Sequence, residues 1–234
     1  MNYIRFAVSV FALWIAVMIA VFARIAPSQP GVLWGMRETI LYGVVSLAFL
    51  YLSLLPSPLY EVFPTLPGKI PFQRAKKSFG ISAFFFAVIH SWVGFFYGIG
   101  GWGTLPYWGM GEWVSLVIGL IALLILALLA VTSLKAIKQR MRPWWKALHR
   151  TVYLAAFLTL VHGVTITIHV INLFPWLVGS YVLLEGLTLL ELIRFDRFLR
   201  VRYPFLARKV VGVLFPLFSF GLFWSFFLLG HHRH

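Results

Sequence analysis

The stretch "RPWWKALHRTVYLAAFLTLVHGVTITIH", Arg142 to His169, decides how this chain is read. Its body is apolar enough for a membrane-spanning helix, yet it carries His149, His162 and His169. An imidazole in hydrocarbon is costly unless another group satisfies it. Either the three rings serve hydrogen bonding and packing inside a helix bundle, or some of them hold a ligand.

The surrounding composition sets the class. Of 234 residues, 61% are hydrophobic and 11% charged, and the mean hydropathy is +0.91. A soluble domain carries roughly 25% charged residues, so the chain reads as an integral membrane protein. Its formal net charge of +14 would suit nucleic acid. The basic residues cluster between apolar runs, however, as loop charges of a membrane protein do, and nucleic acid is excluded as a partner. There are no cysteines. That rules out disulfides, thiolate metal sites, iron–sulfur clusters and covalently attached haem.

A bilayer core needs about 20 apolar residues in a helix. Seven runs qualify or nearly so: 3–25, 36–55, 77–98, 112–133, 147–171, 175–193 and 209–229. The expected fold is therefore an all-α integral membrane protein, a bundle of six to seven transmembrane helices. The first run has the shape of a signal peptide, but it is long and lacks a clear small-residue cleavage site, so it is expected to be a retained helix. Glu185 and Glu191 make the sixth run the weakest, and Pro216 is expected to kink the seventh. Residues 1–35 form a first helix and outer loop, 36–193 the core, and 194–234 a basic inner loop, an extra helix and a short tail.

Charge sets the orientation. The second-to-third connection carries Lys69, Arg74, Lys76 and Lys77. The fourth-to-fifth carries Lys135, Lys138, Arg140, Arg142 and Lys146, and the sixth-to-seventh is basic throughout. The third-to-fourth and fifth-to-sixth connections carry no Lys or Arg. The positive-inside rule puts the N-terminus inside and the C-terminus outside, in a multi-pass protein of the inner (plasma) membrane.

Depth then sorts the histidines. Counted at 1.5 Å per residue from Lys77 and Lys146, His90 lies roughly 20 Å into helix three and His162 about 24 Å into helix five. His149 lies close to the inner edge, and His169 near the outer end. Two imidazoles at one depth inside a bundle are what a six-coordinate b-type haem between helices three and five requires. Phe84, Phe85, Phe86, Leu158 and Val161 are candidates to line its slot. Ordinary hydrogen-bonded packing of both rings satisfies the same counting. On one ideal helix, His149 and His162, thirteen residues apart, fall on different sides.

The segments "KKSFGISAFFFAVIH" (76–90) and "TSLKAIKQRMRPWWKALHRTVYLAAFLTLVH" (132–162) resemble the ferric reductase-like transmembrane domain family. The shared pattern is a basic run and Gly80 leading to His90, then Thr132-Ser133, then Trp145, Leu148, His149, Arg150, Val152, Tyr153 and Leu154, with His162 thirteen residues beyond His149. Within that family the likeness is nearest to the haem-binding membrane subunits of bacterial periplasmic methionine sulfoxide reductase systems. The resemblance implies a b-type haem with His90 and His162 as iron ligands and His149 in the place of an inner ligand. Oxidase-like members carry a further helix-three histidine where this chain has Lys76-Lys77. One haem is thus expected, and the partner of a second is missing. His149 is left three roles: a second haem, a quinone contact, or orienting the inner end.

The resemblance also implies electron flow outward, from a separate flavoreductase or quinol to ferric iron or a periplasmic reductase. No dinucleotide-binding fingerprint occurs in the chain, so FMN, FAD or quinone would enter only at the inner face. Arg74, Lys77, Arg142 and Arg150 are candidates for haem propionates or the donor, although such charges also enforce topology. Glu185 is a candidate proton group. Trp102, Tyr107, Trp108 and Trp113 fit an outer aromatic belt in contact with membrane lipid. His231, His232 and His234 form a tail. A second class stays open beside the redox one: a non-redox transporter or scaffold in which Glu185 and the histidines carry protons.

Overall fold

In hydrocarbon there is no water to bond the backbone, so an apolar run closes its N–H and C=O groups on itself as helix. The computed structural model describes residues 3–25, 34–170, 174–202 and 216–217, and it shows that outcome. The helices are α1 (Tyr3–Ile25), α2 (Trp34–Leu54), α3 (Pro56–Val62), α4 (Lys69–Val93), α5 (Met110–Thr132), α6 (Lys135–Met141), α7 (Pro143–His149), α8 (Val152–Val170) and α9 (Phe174–Arg202). There is no strand among the described residues. Four spans among them are long and apolar enough to cross a membrane: Tyr3–Phe22, Gly35–Leu54, Lys69–Gly98 and Met110–Thr132. The 19 residues of α8 reach about 28 Å, close to the hydrocarbon thickness. The chain is an all-α, multi-pass membrane protein. The expected seventh helix and the histidine tail lie outside the described residues, apart from Pro216 and Leu217, which are helical.

Three expectations are corrected. The basic segment 69–77 is not a loop: α4 begins at Lys69, after Gly68 turns the chain at φ 79°. Long basic side chains are good helix formers and lay their stems along apolar surface, so charge there did not end the helix. The run 147–171 is not one helix. It breaks at Arg150–Thr151, where the Thr151 hydroxyl bonds the Leu148 carbonyl at 2.7 Å. Counting helical periods from His149 to His162 therefore does not apply. The sixth run, expected to stop at 193, continues to Arg202 as α9.

The chain divides into two compact units, Met1–Ser53 with Ile70–Thr165, and Leu54–Lys69 with Ile166 onward. The core of the first joins Ala12, Ala16 and Ile19 of α1 with Tyr42, Phe49 and Leu50 of α2, Ala83 and Phe86 of α4, Leu126 of α5 and Ala155 of α8. Ala83, Phe86 and Ala155 are 0% exposed. Small residues at such seams let helix backbones approach, since packing rather than water exclusion drives association in lipid. Phe86 stacks on Phe49 at 5.6 Å and on Tyr42 at 6.2 Å. It belongs to the α2–α4 seam. Ser46 donates to the Ala83 carbonyl at 2.8 Å across the same seam.

In the second unit, Arg194 of α9 pairs with Glu61 of α3 at 2.7 Å and with Glu191 at 3.4 Å. Arg197 donates to the carbonyls of Glu61 and Val62. Cations at the open carbonyl end of α3 offset its dipole.

Candidate functional site

His90 of α4 and His162 of α8 face each other in the first unit, with ring centroids 6.0 Å apart and planes at 89°. Each ring is held the same way. His90 Nδ1 lies 2.8 Å from the Thr39 carbonyl of α2, and His162 Nδ1 lies 2.8 Å from the Ser115 carbonyl of α5. A carbonyl can only accept, so Nδ1 carries the proton in both rings and Nε2 keeps its lone pair. Metal-binding imidazoles are commonly oriented by such a second hydrogen bond, which also raises their basicity.

The two rings meet edge to face, close enough that both belong to one site. Among the described residues, no three His, Asp or Glu side chains gather into a metal-binding group. A pair of neutral imidazoles, each with Nδ1 engaged, is a donor set that would suit a metal bringing its own remaining donors, as haem iron does.

The polar setting was partly missed from sequence. The Ser115 hydroxyl lies 3.3 Å from His162 Nδ1 and 2.9 Å from the Thr165 hydroxyl. Gly43 and Gly119 sit directly against the two rings. One turn beyond His90, α4 widens into a π-helical turn over Gly94–Gly98, packed against Thr39. Glu38, also missed, is 5% exposed on α2. It was readable as an ionisable residue inside an apolar run.

His149 occupies a different corner. Its ring packs against Trp145 with centroids 4.1 Å apart and planes tilted by 32°, and its Nε2 lies 3.3 Å from the Thr132 hydroxyl. Trp145 Nε1 donates to the Thr132 carbonyl at 3.0 Å, and Lys138 Nζ lies 4.1 Å above the indole. Lys77 donates to the Ser133 carbonyl at 2.6 Å, placing a cation at the carbonyl end of α5. The Thr-Ser, Trp and His of the sequence pattern thus form one tied corner joining α4, α5 and α7.

The remaining candidates disperse. Arg74 accepts a hydrogen bond at its carbonyl from Arg5. Arg142 is exposed at the α6–α7 break, where its φ of 47° makes it the one non-glycine residue with positive φ among those described. With Lys135, Lys138, Gln139, Trp145 and Lys146 it borders an open cavity of about 470 Å³. Arg150 is exposed beside His149, and Glu185 lies on α9 in the second unit. The His169 side chain lies outside the described residues. Trp102 is 73% exposed and its ring meets Phe95 edge-on.

The chain is similar to the protein-methionine-sulfoxide reductase haem-binding subunit MsrQ of Bordetella pertussis, Bordetella parapertussis and Bordetella bronchiseptica. It is 29% identical to each over 122 residues, which are 51% of this chain and 56% of the relative. The chain thus spans little more than half the length of the curated relatives it matches. Residues 42–160, from the α2 residue beside Gly43 to within two positions of His162, match the family described as the ferric reductase like transmembrane component. That is just over half of the chain, which therefore belongs to the ferric reductase-like transmembrane component family.

Proposed function

We propose that this chain is a membrane b-type cytochrome subunit that passes electrons from an inner-face donor, through haem held by His90 and His162, to an outer-face acceptor. One observation carries the reading: two imidazoles 6.0 Å apart, each with Nδ1 on a backbone carbonyl at 2.8 Å. Bound haem supplies the one-electron chemistry, and the protein supplies ligands, orientation and a dry surround. His90 and His162 hold the iron from α4 and α8, while α2 and α5 orient them. Family membership and the haem-binding name of the relatives support the same assignment.

The relatives' name also supports the class of acceptor, a protein-methionine-sulfoxide reductase, ahead of ferric iron. The donor is a separate flavoreductase or quinol acting at the basic inner face, where Lys135, Lys138, Arg142 and Lys146 surround Trp145. His149 orients this inner corner through Trp145 and Thr132, and the chain binds one haem. The N-terminus lies inside, in the plasma membrane, by the alternation of basic connections.

A reduced-minus-oxidised spectrum with haem counted by pyridine haemochrome tests the assignment. Wild type shows a low-spin b-type spectrum at one haem per chain. His90→Ala and His162→Ala each lose it, and His149→Ala keeps it. Full haem retention by both of the first two variants overturns the reading. Protein that stays colourless when expressed with ample haem returns the chain to the proton-carrying class.

A further inference from the structure

We infer that Gly43 and Gly119 are positioning residues for the two imidazoles, a role that rests on the haem reading above. In a helix, the carbonyl of residue i is occupied on one side by the N–H of i+4, and the side chain at i+4 shields the other side. A second donor reaches that carbonyl most easily when i+4 has no Cβ. This arrangement occurs twice. His90 Nδ1 meets the carbonyl of Thr39, and Gly43 follows four residues later on α2. His162 Nδ1 meets the carbonyl of Ser115, and Gly119 follows four residues later on α5.

The space is filled by the rings themselves. A Cβ at Gly43 would stand 2.9 Å from His90 Nδ1 and 3.0 Å from its Cε1. A Cβ at Gly119 would stand 2.7 Å from both Nδ1 and Cε1 of His162. Alanine meets a rotatable side chain at both places rather than backbone, so the helices keep their course and the imidazole moves. Its motion breaks the Nδ1–H···O=C bond, which sets the tautomer and raises the basicity of the ligand. The pattern of hydroxyl residue, three residues, glycine, on each of two helices flanking a histidine helix, is thus a device for presenting Nε2 from a fixed ring.

The test is Gly43→Ala and Gly119→Ala in the full chain, with Gly179→Ala as a control, since a Cβ there meets nothing within 4 Å. Haem affinity, reduction potential and carbon monoxide binding by the reduced protein are read for each. The two variants are expected to hold haem about 10- to 100-fold more weakly. The haem they keep has a raised potential, because a less basic ligand stabilises the oxidised iron less, and it binds carbon monoxide where the six-coordinate wild type does not. Wild-type potential and carbon monoxide inertness in both variants overturn the inference. A general packing defect would lower yield without moving the potential of the haem retained.

If the alanine variants do not accumulate, redox-induced infrared difference spectra of the unsubstituted protein with ring-labelled histidine decide instead. Axial histidines with hydrogen-bonded Nδ1–H support the inference, and unbonded Nδ1–H overturns it. Loss of haem in the His90 and His162 variants with indifferent glycine variants sinks this inference alone, whereas haem retained in the histidine variants sinks the haem reading itself.

Discussion

At His90 and His162 the hydrogen bond, not the depth of burial, makes the ring useful. A neutral imidazole has one donor and one acceptor nitrogen, and the carbonyls of Thr39 and Ser115 take the donor. His149 contrasts with them. Its Nε2 faces the Thr132 hydroxyl, and Trp145, which covers its ring, is tied to the Thr132 carbonyl. Trp145→Phe keeps an aromatic ring, smaller than the indole, and removes the N–H. It is expected to lower stability by about 1 kcal/mol, seen as an earlier thermal transition in detergent, with the haem spectrum unchanged. A loss of haem in this variant would tie the inner corner to the cofactor directly. Lys77, read from sequence as a propionate or donor contact, finds its partner in the Ser133 carbonyl. Residue type alone did not reveal that, because the same cation suits a phosphate, a propionate or a helix end.

Among the helices, α2 and α4 carry the tightest seam. Ala83 has no exposed surface, its carbonyl receives Ser46, and Phe86 stacks between Tyr42 and Phe49 one turn away. Ala83→Leu is expected to wedge the pair apart, at about 1–3 kcal/mol. Val88→Leu, on an exposed part of α4, is expected to stay within about 0.5 kcal/mol. Comparison of their unfolding midpoints checks both, and equal midpoints would mean that Ala83 is not at a close helix contact. Since Thr39 and Gly43 reach His90 from α2, a wedge at Ala83 is expected to weaken haem binding as well. The spans themselves were legible in sequence, because a long apolar run in lipid has helix as its solution. Their ends were less so. The break at Arg150–Thr151 is a tightened turn whose N–H groups bond three residues back, and the early start of α4 rests on basic residues that tolerate a helix.

For the whole molecule, the distribution of charge makes orientation testable. The native chain has no cysteine, so single cysteines report sidedness without background. Gly103→Cys, in the connection before α5, is expected to react with an impermeant maleimide on intact cells. Gln139→Cys, on α6, is expected to react only after permeabilisation. The reverse pattern would invert the direction of electron flow. Composition and residue order were enough to establish a membrane protein with long apolar helices, and to mark His90 and His162 as candidates at a similar depth. These follow from the amount and spacing of apolar and charged residues along one axis, which a linear chain displays directly. The carbonyls that hold the rings, the glycines that admit them and the corner that engages His149 depend on which helix faces mesh. Apolar residues surround every face of these helices, so no periodic stripe marks the meeting faces. Close packing of side chains against neighbouring backbones supplies that information, and it exists only once the helices are assembled.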